Sequence, residues 1–267
     1  MEQPIIPERI VILTLDSFAS YSGLVSLIEN LEGRIVLLCL SNRFGGKYGS
    51  FFTQVRNAFR HSGIQFVWYQ TFNLIVYRII SVFHYRSLIR VAKRHGISVL
   101  WVENVNDNSI IAILKEKKPD VILSFYFDQL IKKRVIQIPS FGVINVHTAS
   151  LPKCRGPFPV LCTLRYGMRG CVSVHAIEDE QLDAGPIYVQ EVYDIDHLKS
   201  VLSLDRDAMV RAAKVVTDLF RDMSTGNYQK YPQESGESYM SFPVREDIQI
   251  LKERGIPLFR IREFLNL

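Results

Sequence analysis

The apolar positions in the first 147 residues fall into short, nearly uninterrupted runs. These runs cover residues 9–15, 34–41, 64–70, 97–102, 120–126 and 142–147. Because their residues are apolar at successive positions rather than at alternate ones, they indicate strands that are buried on both faces. The sequence therefore predicts six strands in this part of the chain.

Amphipathic stretches lie between most of these runs. The leucines of residues 22–33 share one helical face with Ile28, and the stretch stops at Gly33. Further helices are predicted at residues 52–60, 72–83, 85–95 and 107–119. Strands that alternate with helices are typical of a Rossmann-like α/β fold, a mainly parallel sheet with helices on both faces. Ligands of such sheets bind outside the carboxyl ends of the strands.

The second part of the chain has a different order of elements. A loop with three prolines and a short helix precede two further strands, at residues 171–177 and 185–195, which bracket an acidic loop. A long amphipathic helix follows at residues 205–226, and the rest is rich in loops. We therefore expect one main domain over residues 1–226 and a short C-terminal appendage over residues 227–267.

Charge and cysteine content say little about the ligand and the cellular location of this protein. The chain of 267 residues has a formal net charge of +5 and a pI near 9.0, which favours anionic ligands in general. Its four cysteines show no CxxC spacing, so we expect no disulfide framework and a cytoplasmic location. No secretion signal is predicted before Arg9, and the apolar stretch 72–83 contains Arg78 and is too short to span a bilayer.

The candidate chemistry lies at the end of the sixth run. Asn145 and His147 are two positions apart, so both side chains face the same side of a strand. A carboxamide beside an imidazole can stabilise an oxygen that becomes negative, and the imidazole can also carry a proton. Asp183, in the acidic loop, could supply the carboxylate that orients the histidine or takes protons.

Each of these residues also has a simpler interpretation. Asn145 and His147 could be a turn former and a buried, hydrogen-bonded histidine, and Asp183 could be a turn residue. His147, His175 and Asp183 could bind a metal, although no HxxxH motif or Cys/His cluster supports this, and we predict no metal. Ser150 and His147 do not form a nucleophilic triad, because nothing resembles a nucleophile elbow.

The block "INVHTASLPKCRGPFPV", followed by "LDAGPI", resembles the folate-dependent formyltransferase family. That family's pattern is approximately N-x-H-P-S-L-L-P-x-x-x-G, then L-D-x-G-x-I, with about the same separation as the 38 residues between Asn145 and Asp183. The resemblance extends over residues 98–195. Thr148 replaces the family's first proline, and the serine is displaced to Ser150.

The resemblance implies a mechanism and a donor site. N10-formyltetrahydrofolate would be the co-substrate, and the attacking amine would form an oxyanion that is stabilised by Asn145 and a protonated His147. Asp183, through an ordered water, would help to move the proton from the amine to the departing folate nitrogen. The donor-pocket residues would be Gln129, Leu130 and Ile131, closed by the acidic residues Glu178, Asp179 and Glu180. Plain core packing is the alternative for Leu130 and Ile131.

The acceptor is open to several interpretations. A ribonucleotide would need a phosphate-binding glycine loop after the first strand, where only Gly23 is found. Methionyl-tRNA enzymes of the family carry a C-terminal β-barrel of about a hundred residues, for which residues 227–267 are too few, so a nucleic-acid partner is not expected. We therefore expect a small-molecule amine, either an amino-sugar nucleotide or an amine of a specialised metabolite.

Other features leave the acceptor and the reaction open. Arg43 and Lys47 could hold a phosphate or carboxylate of the acceptor, or could lie in a solvated glycine loop. The stretch 72–83 could belong to the core, form a homodimer interface, or contact a hydrophobic acceptor or a membrane surface. The rival functions are formyl-tetrahydrofolate hydrolysis and folate binding without catalysis.

Overall fold

The computed structural model describes residues 5–42, 51–83, 87–234 and 239–264, which include a seven-stranded sheet in the order β3-β2-β1-β4-β5-β6-β7. Strands β1 to β5 pair with one another in parallel, whereas β6 is antiparallel to both β5 and β7. The strands are β1 Ile10–Thr14, β2 Ile35–Ser41, β3 Ser98–Val102, β4 Val121–Phe125, β5 Gly142–His147, β6 Gly170–Ile177 and β7 Ile187–Tyr193. The predicted Rossmann-like, mainly parallel sheet is confirmed.

Helices cover both faces of this sheet. Ile10 and Ile12 of β1 belong to an apolar cluster with residues 18–30 and 201–224, whereas Val11 and Leu13 belong to a second cluster with residues 108–117. The helices are α1 Phe18–Asn30, α2 Phe51–Ser62, α3 Ile64–Thr71, a π-helix Phe72–Val76, α4 Tyr77–Phe83, α5 Leu88–Arg94, α6 Asn108–Lys117, α7 Lys133–Ile136, α8 Pro159–Arg165, α9 Val201–Ser224, α10 Arg245–Glu253 and a 3₁₀ helix Ile261–Phe264. None of the helices in these described ranges is long and apolar enough to cross a bilayer.

The strand predicted at residues 64–70 is wrong, because this segment is helix α3. Its aromatic and β-branched residues favour a strand, but its burial follows a helical period. Phe66 and Tyr69, three positions apart, are buried, and Trp68 between them is 51% exposed. Tertiary packing therefore overrides local propensity here.

The π-helix interrupts the helix predicted at residues 72–83. Asn73 is buried within it and joins two other parts of the fold. Its Oδ1 accepts a hydrogen bond from the Ala19 backbone N–H at 3.1 Å, and its Nδ2 donates to the Tyr126 hydroxyl at 3.2 Å. Single π-helical turns are frequent at functional sites, and this one anchors the segment between β2 and β3 to the end of β4.

A disulfide joins Cys154 to Cys162, contrary to the expectation from the sequence. The loop after β5 folds back on α8, so the two Cα atoms lie 5.9 Å apart even though the residues are eight positions apart in sequence. This spacing matches no disulfide or redox motif, which is why the sequence did not indicate the bond. Cys39 and Cys171 are free and buried.

The residues that follow α9 pack against the rest of the chain. Tyr231 forms an antiparallel bridge with Ile187 of β7, and Tyr239 forms a parallel bridge with Arg155 in the loop after β5. Ile256 and Leu258 are buried in an apolar cluster together with residues of α8 and α9. The predicted boundary at residue 226 stays a prediction, but the tail contributes directly to the core.

Candidate active site

Strand β5 carries Asn145 and His147 to the carboxyl edge of the sheet. Asn145 is paired in register with His175 on the neighbouring strand β6, and His147 with Ser173. Because β5 lies between β4 and β6, the imidazole of His147 is almost completely buried. The two polar side chains therefore stand side by side at the edge where ligands of such sheets bind.

Asp183 reaches the same place from the loop between β6 and β7. Its backbone has a left-handed conformation with φ +52°, which turns the chain back toward the sheet. Oδ1 lies 3.2 Å from Asn145 Nδ2 and 3.5 Å from His147 Nδ1, and Oδ2 accepts the Gly156 N–H at 2.9 Å. The structure thus brings together the three candidate catalytic residues.

The surroundings set the charges of this group. Burial raises the pKa of Asp183, but the nearby His147, His175 and the Gly156 N–H outweigh burial and hold that pKa below its ordinary value of 3.8. Burial lowers the pKa of His147, and the charge of Asp183 opposes this without cancelling it. At neutral pH these shifts favour an ionised carboxylate and a neutral imidazole in the resting site. The protonated His147 that the family resemblance implies belongs to the oxyanion intermediate and stays a prediction.

The hydrogen bonds assign different roles to the two nitrogens of His147. Nε2 lies 2.5 Å from the Cys154 carbonyl oxygen, so Nε2 carries the hydrogen and donates it there. Nδ1 is then left without a hydrogen and faces Asp183. The ring can accept a proton at Nδ1 without moving.

His175 completes the group, although the sequence indicated it only as an alternative metal ligand. Its Nδ1 donates to the Ala176 carbonyl at 2.9 Å, which leaves Nε2 to accept from Asn145 Nδ2 at 3.0 Å. Both hydrogens of the Asn145 amide are thus engaged, one by His175 and one by Asp183. Among the described residues no cluster of His, Cys, Asp and Glu is arranged to hold a metal.

Gly156 was not predicted as a site residue, but it supports the carboxylate. Its φ of +120° lies outside the range that other residues adopt readily, and a Cβ there would stand 2.0 Å from the Met240 carbonyl oxygen. Glycine therefore allows the tail to pack directly over the loop while the Gly156 N–H holds Asp183.

A cavity of about 1140 Å³ opens at this group. One set of lining residues, which we call the first lobe, comes from the loop after β4, residues 126–132, and from residues 177 and 179–183. A second set, which we call the second lobe, comes from residues between Gln54 and Ile75, from the loop 157–159 and from tail residues between 239 and 244. Asn145, His147 and Asp183 also line the cavity, which exceeds the usual volume of a site for one small ligand, about 300–1,000 Å³.

The donor-site residues predicted from the sequence divide into two groups. Five of them line the cavity, namely Gln129, Leu130, Ile131, Asp179 and Glu180. Glu178 is not among the lining residues and forms an ion pair with Lys230 instead, with Nζ and Oε1 3.2 Å apart. Strand β6 ends at Ile177, and the alternation of side chains there turns Glu178 outward.

Gln129 acts on the loop rather than projecting freely into the cavity. Its Oε1 accepts from the Val105 N–H at 2.8 Å, and its Nε2 donates to Ser41 Oγ and the Val102 carbonyl. Asn106 fixes the same loop through the Leu130 carbonyl. Leu130, 37% exposed, is left to present an apolar surface.

Two further features of the sequence are the candidate anion ligands and the segment that departs from the family pattern. Arg43 and Lys47, the candidate anion ligands, lie outside the described residues. The segment 148–150, which departs from the family pattern, is tied to β6, because the Ala149 carbonyl accepts from Ser173 Oγ at 2.6 Å. Thr148 is buried and lines the cavity.

Fold and site together define a Rossmann-like α/β protein with a polar group at the sheet edge. A family model described as formyl transferase matches residues 89–218. The chain is 30% identical over 165 residues to the methionyl-tRNA formyltransferase of Kosmotoga olearia, covering 61% of this chain and 53% of that relative. It is 33% identical over 144 residues to that of Bacillus pumilus, covering 53% and 45%.

Residues 89–218, just under half of the chain, thus match the formyl transferase family model. The chain spans about half the length of these relatives. Solved structures show the same fold: the N-formyltransferase from Helicobacter canadensis, at 16% identity, has a TM-score of 0.56 over 97% of this chain and 82% of that one. Glycinamide ribonucleotide transformylase 1 from Symbiobacterium toebii, at 14% identity, has a TM-score of 0.56 over 85% and 95%.

Proposed function

We propose that this protein transfers a formyl group from N10-formyltetrahydrofolate to the primary amine of a small molecule. The observation that carries the proposal is the convergence of Asn145, His147 and Asp183 in a cavity large enough for two ligands. The family match supports the reaction class. The Helicobacter canadensis protein, solved with folinic acid and dTDP-3-aminofucose, supports a folate donor and a small acceptor.

The first lobe fits a reduced folate chemically. Leu130 and Ile131 offer an apolar surface for a flat ring, and the carboxylates of Asp179 and Glu180 can accept hydrogen bonds from its amino and ring N–H groups. Leu130 is well exposed for such a contact, whereas buried Ile131 supports it from behind. When bound, the folate supplies the formyl carbon that the amine attacks.

His147 is the proposed proton acceptor. Its Nε2 is held by the Cys154 carbonyl, so the proton of the attacking amine goes to Nδ1. Nδ1 then gives this proton to the folate nitrogen as the bond between that nitrogen and the formyl carbon breaks, which releases tetrahydrofolate and restores the neutral imidazole. The imidazolium that forms between these two steps lies between the Cys154 carbonyl and the ionised Asp183, each of which stabilises a positive charge. A neutral resting imidazole with a lowered pKa is the form that can accept this proton at pH 7.

Asn145 is the proposed donor to the formyl oxygen as that oxygen becomes negative. Both of its amide hydrogens are engaged in the resting site, so one must be shared or exchanged. The contact with Asp183, at 3.2 Å, is longer than the contact with His175, at 3.0 Å. We therefore assign the exchange to the Asp183 side, where the carboxylate turns to the new charge on His147.

The test is a screen of amines with N10-formyltetrahydrofolate, in which absorbance reports tetrahydrofolate and mass spectrometry reports the formylated product. His147→Ala, Asn145→Ala and Asp183→Ala should fold and lose about 10²–10³-fold in turnover. His95→Ala is the control, because His95 pairs with exposed Glu32 away from the cavity. Near-normal turnover by His147→Ala would refute the assignment.

Methionyl-tRNA is a second candidate acceptor, since relatives of that name match over about half their length. Formylation of charged initiator tRNA, with no product from small amines, would favour it. Formate release without any amine would indicate hydrolysis instead. Folate binding without turnover on any acceptor would indicate a binding module.

A further inference from the structure

The second lobe of the cavity begins beside the catalytic carboxylate. Gly156 donates to Asp183, and two residues later Phe158 packs edge-on against Phe66 of α3 and against Phe242 of the tail, with ring centroids 5.1 and 5.2 Å apart. This aromatic row forms one wall of the lobe. A molecule held there can present an amine to Asp183 and His147.

The charged groups of the cavity are unevenly distributed. Among the described residues that line it, the carboxylates are Asp128, Asp179, Glu180 and Asp183, and the cation is Lys132. All five belong to the first lobe. The cavity is thus acidic within a chain of net charge +5.

The described part of the second lobe contains no carboxylate, lysine or arginine, but it is not wholly apolar. It includes the amides of Gln54, Asn57 and Gln70 and the imidazole of His61. Valine, leucine, isoleucine and phenylalanine side chains fill the space between these polar groups. An acceptor phosphate placed here would lose hydration, and the described wall would offer it no lysine or arginine in return.

The second lobe is built mainly from parts of the chain that lie outside the family match. Residues 54–75 precede the matched range 89–218, and tail residues 239–244 follow it. The π-helix fixes the lobe at its inner end, because Asn73 is bound to both α1 and Tyr126. The family match therefore does not describe most of this lobe.

We propose that the second lobe binds the acceptor, and that the acceptor is a primary amine on an uncharged, largely apolar body bearing hydroxyl or amide groups and no phosphate. This inference rests on the proposed function and narrows its substrate class. The acidic cavity attracts the ammonium form of the amine and repels a phosphate. The aromatic row and the aliphatic side chains bind the apolar body.

The test compares two probes that carry the same amino sugar, octyl glucosaminide below its micelle concentration and UDP-glucosamine. Calorimetry of each with the full chain separates acceptor binding from formyl transfer. We expect octyl glucosaminide to bind at least tenfold more tightly, with an affinity that rises about fourfold per methylene from methyl to octyl until the lobe is full. Salt should have little effect on this binding.

Variants locate the binding in the second lobe. Val67 of α3 lines the lobe, and Val67→Phe should reduce the octyl affinity about tenfold while sparing the methyl compound. Gln65→Phe is the matched control, because it introduces the same side chain on an exposed position of the same helix that does not line the cavity. Val55→Phe on α2 replaces Val67→Phe if that variant unfolds.

The outcomes decide the inference independently of catalysis. Tighter binding of UDP-glucosamine, binding of neither probe, or an equal effect of Val67→Phe and Gln65→Phe would overturn it. Tighter binding of UDP-glucosamine would not contradict the proposed formyl transfer, which the turnover assay tests separately. Tight octyl binding that Val67→Phe weakens, in a protein that formylates no amine, would support the site and refute the proposed reaction.

Discussion

Replacement of Gly156 by alanine tests whether the loop after β5 positions the carboxylate of Asp183, the proposed catalytic group. The added methyl group would stand 2.0 Å from the Met240 carbonyl oxygen, a backbone atom that cannot rotate away. Relief of this contact requires a shift of about 1 Å in the loop or the tail. Either shift lengthens the 2.9 Å hydrogen bond between the Gly156 N–H and Asp183 Oδ2.

The expected magnitude has two parts. An alanine at φ +120° carries backbone strain of about 1–3 kcal/mol, and loss of the hydrogen bond adds about 1 kcal/mol, so the free energy of unfolding should fall by about 2–4 kcal/mol. For a domain of this size that lowers the melting temperature by about 5–15 °C. Displacement of a catalytic group by about 1 Å can reduce kcat about 10²-fold.

The assay measures turnover of formyl donor and amine together with thermal unfolding, at a temperature where the variant is fully folded. Gly142→Ala is the matched control, since Gly142 has φ +139° but nothing lies within 4 Å of the position of its missing Cβ. That control should show the backbone strain without the clash with Met240 that displaces the loop beside Asp183. Its melting temperature should fall while its kcat stays within a fewfold of the parent protein.

The kinetic comparison can refute this reasoning. If folded Gly156→Ala keeps the parent kcat, the loop does not position Asp183 for catalysis. If Gly142→Ala loses as much kcat as Gly156→Ala, backbone strain rather than the contact with Met240 explains the loss.

Three other measurements address the site and the core. In Asp183→Asn the acid limb of the pH profile of kcat/KM should move to lower pH, because the carboxylate that raises the pKa of His147 is gone; an unmoved limb would contradict this coupling. Dithiothreitol should open the bond between Cys154 and Cys162 and lower kcat severalfold without loss of helix, as the loop that holds His147 is released, and circular dichroism with thiol counting checks this. Burial raises the pKa of Asp205 to about 7, above its unfolded value of 3.8. The contribution of Asp205 to the free energy of unfolding therefore falls as the pH rises toward 7. The free energy of unfolding of Asp205→Asn, measured in urea, should therefore rise by about 3 kcal/mol relative to that of the parent protein between pH 5 and pH 8. A difference that stays constant over this range would refute the titration of Asp205.

Most of the sheet could be predicted because strands such as β1 and β4 are buried on both faces. Uninterrupted apolar runs such as residues 120–126 are stable as strands where helices cover both faces of a parallel sheet. This arrangement predicted that Asn145 and His147 lie at the carboxyl edge of the sheet. The run at residues 64–70 has similar residues but a helical burial pattern, with Phe66 and Tyr69 inside and Trp68 outside. Composition alone does not separate these cases.

The site was predictable only in part, for a different reason. Asp183 was found through its spacing in a family pattern, whereas the strand period alone would have left it as a turn residue. His175 became meaningful only through its register opposite Asn145, and Gly156 only through the approach of Met240. Contacts between distant segments leave no local pattern, which is also why the bond between Cys154 and Cys162 was missed.

The bridge between the tail and the loop has a consequence for how the protein is made. Met240 donates its backbone N–H to the Arg155 carbonyl and covers Gly156, so the loop that holds Asp183 is braced by a segment that is synthesised after the sheet. Contacts between such distant segments form slowly. A nascent chain can therefore build its sheet before this brace forms, and Asp183 would be held in its final position only once Met240 has packed over Gly156.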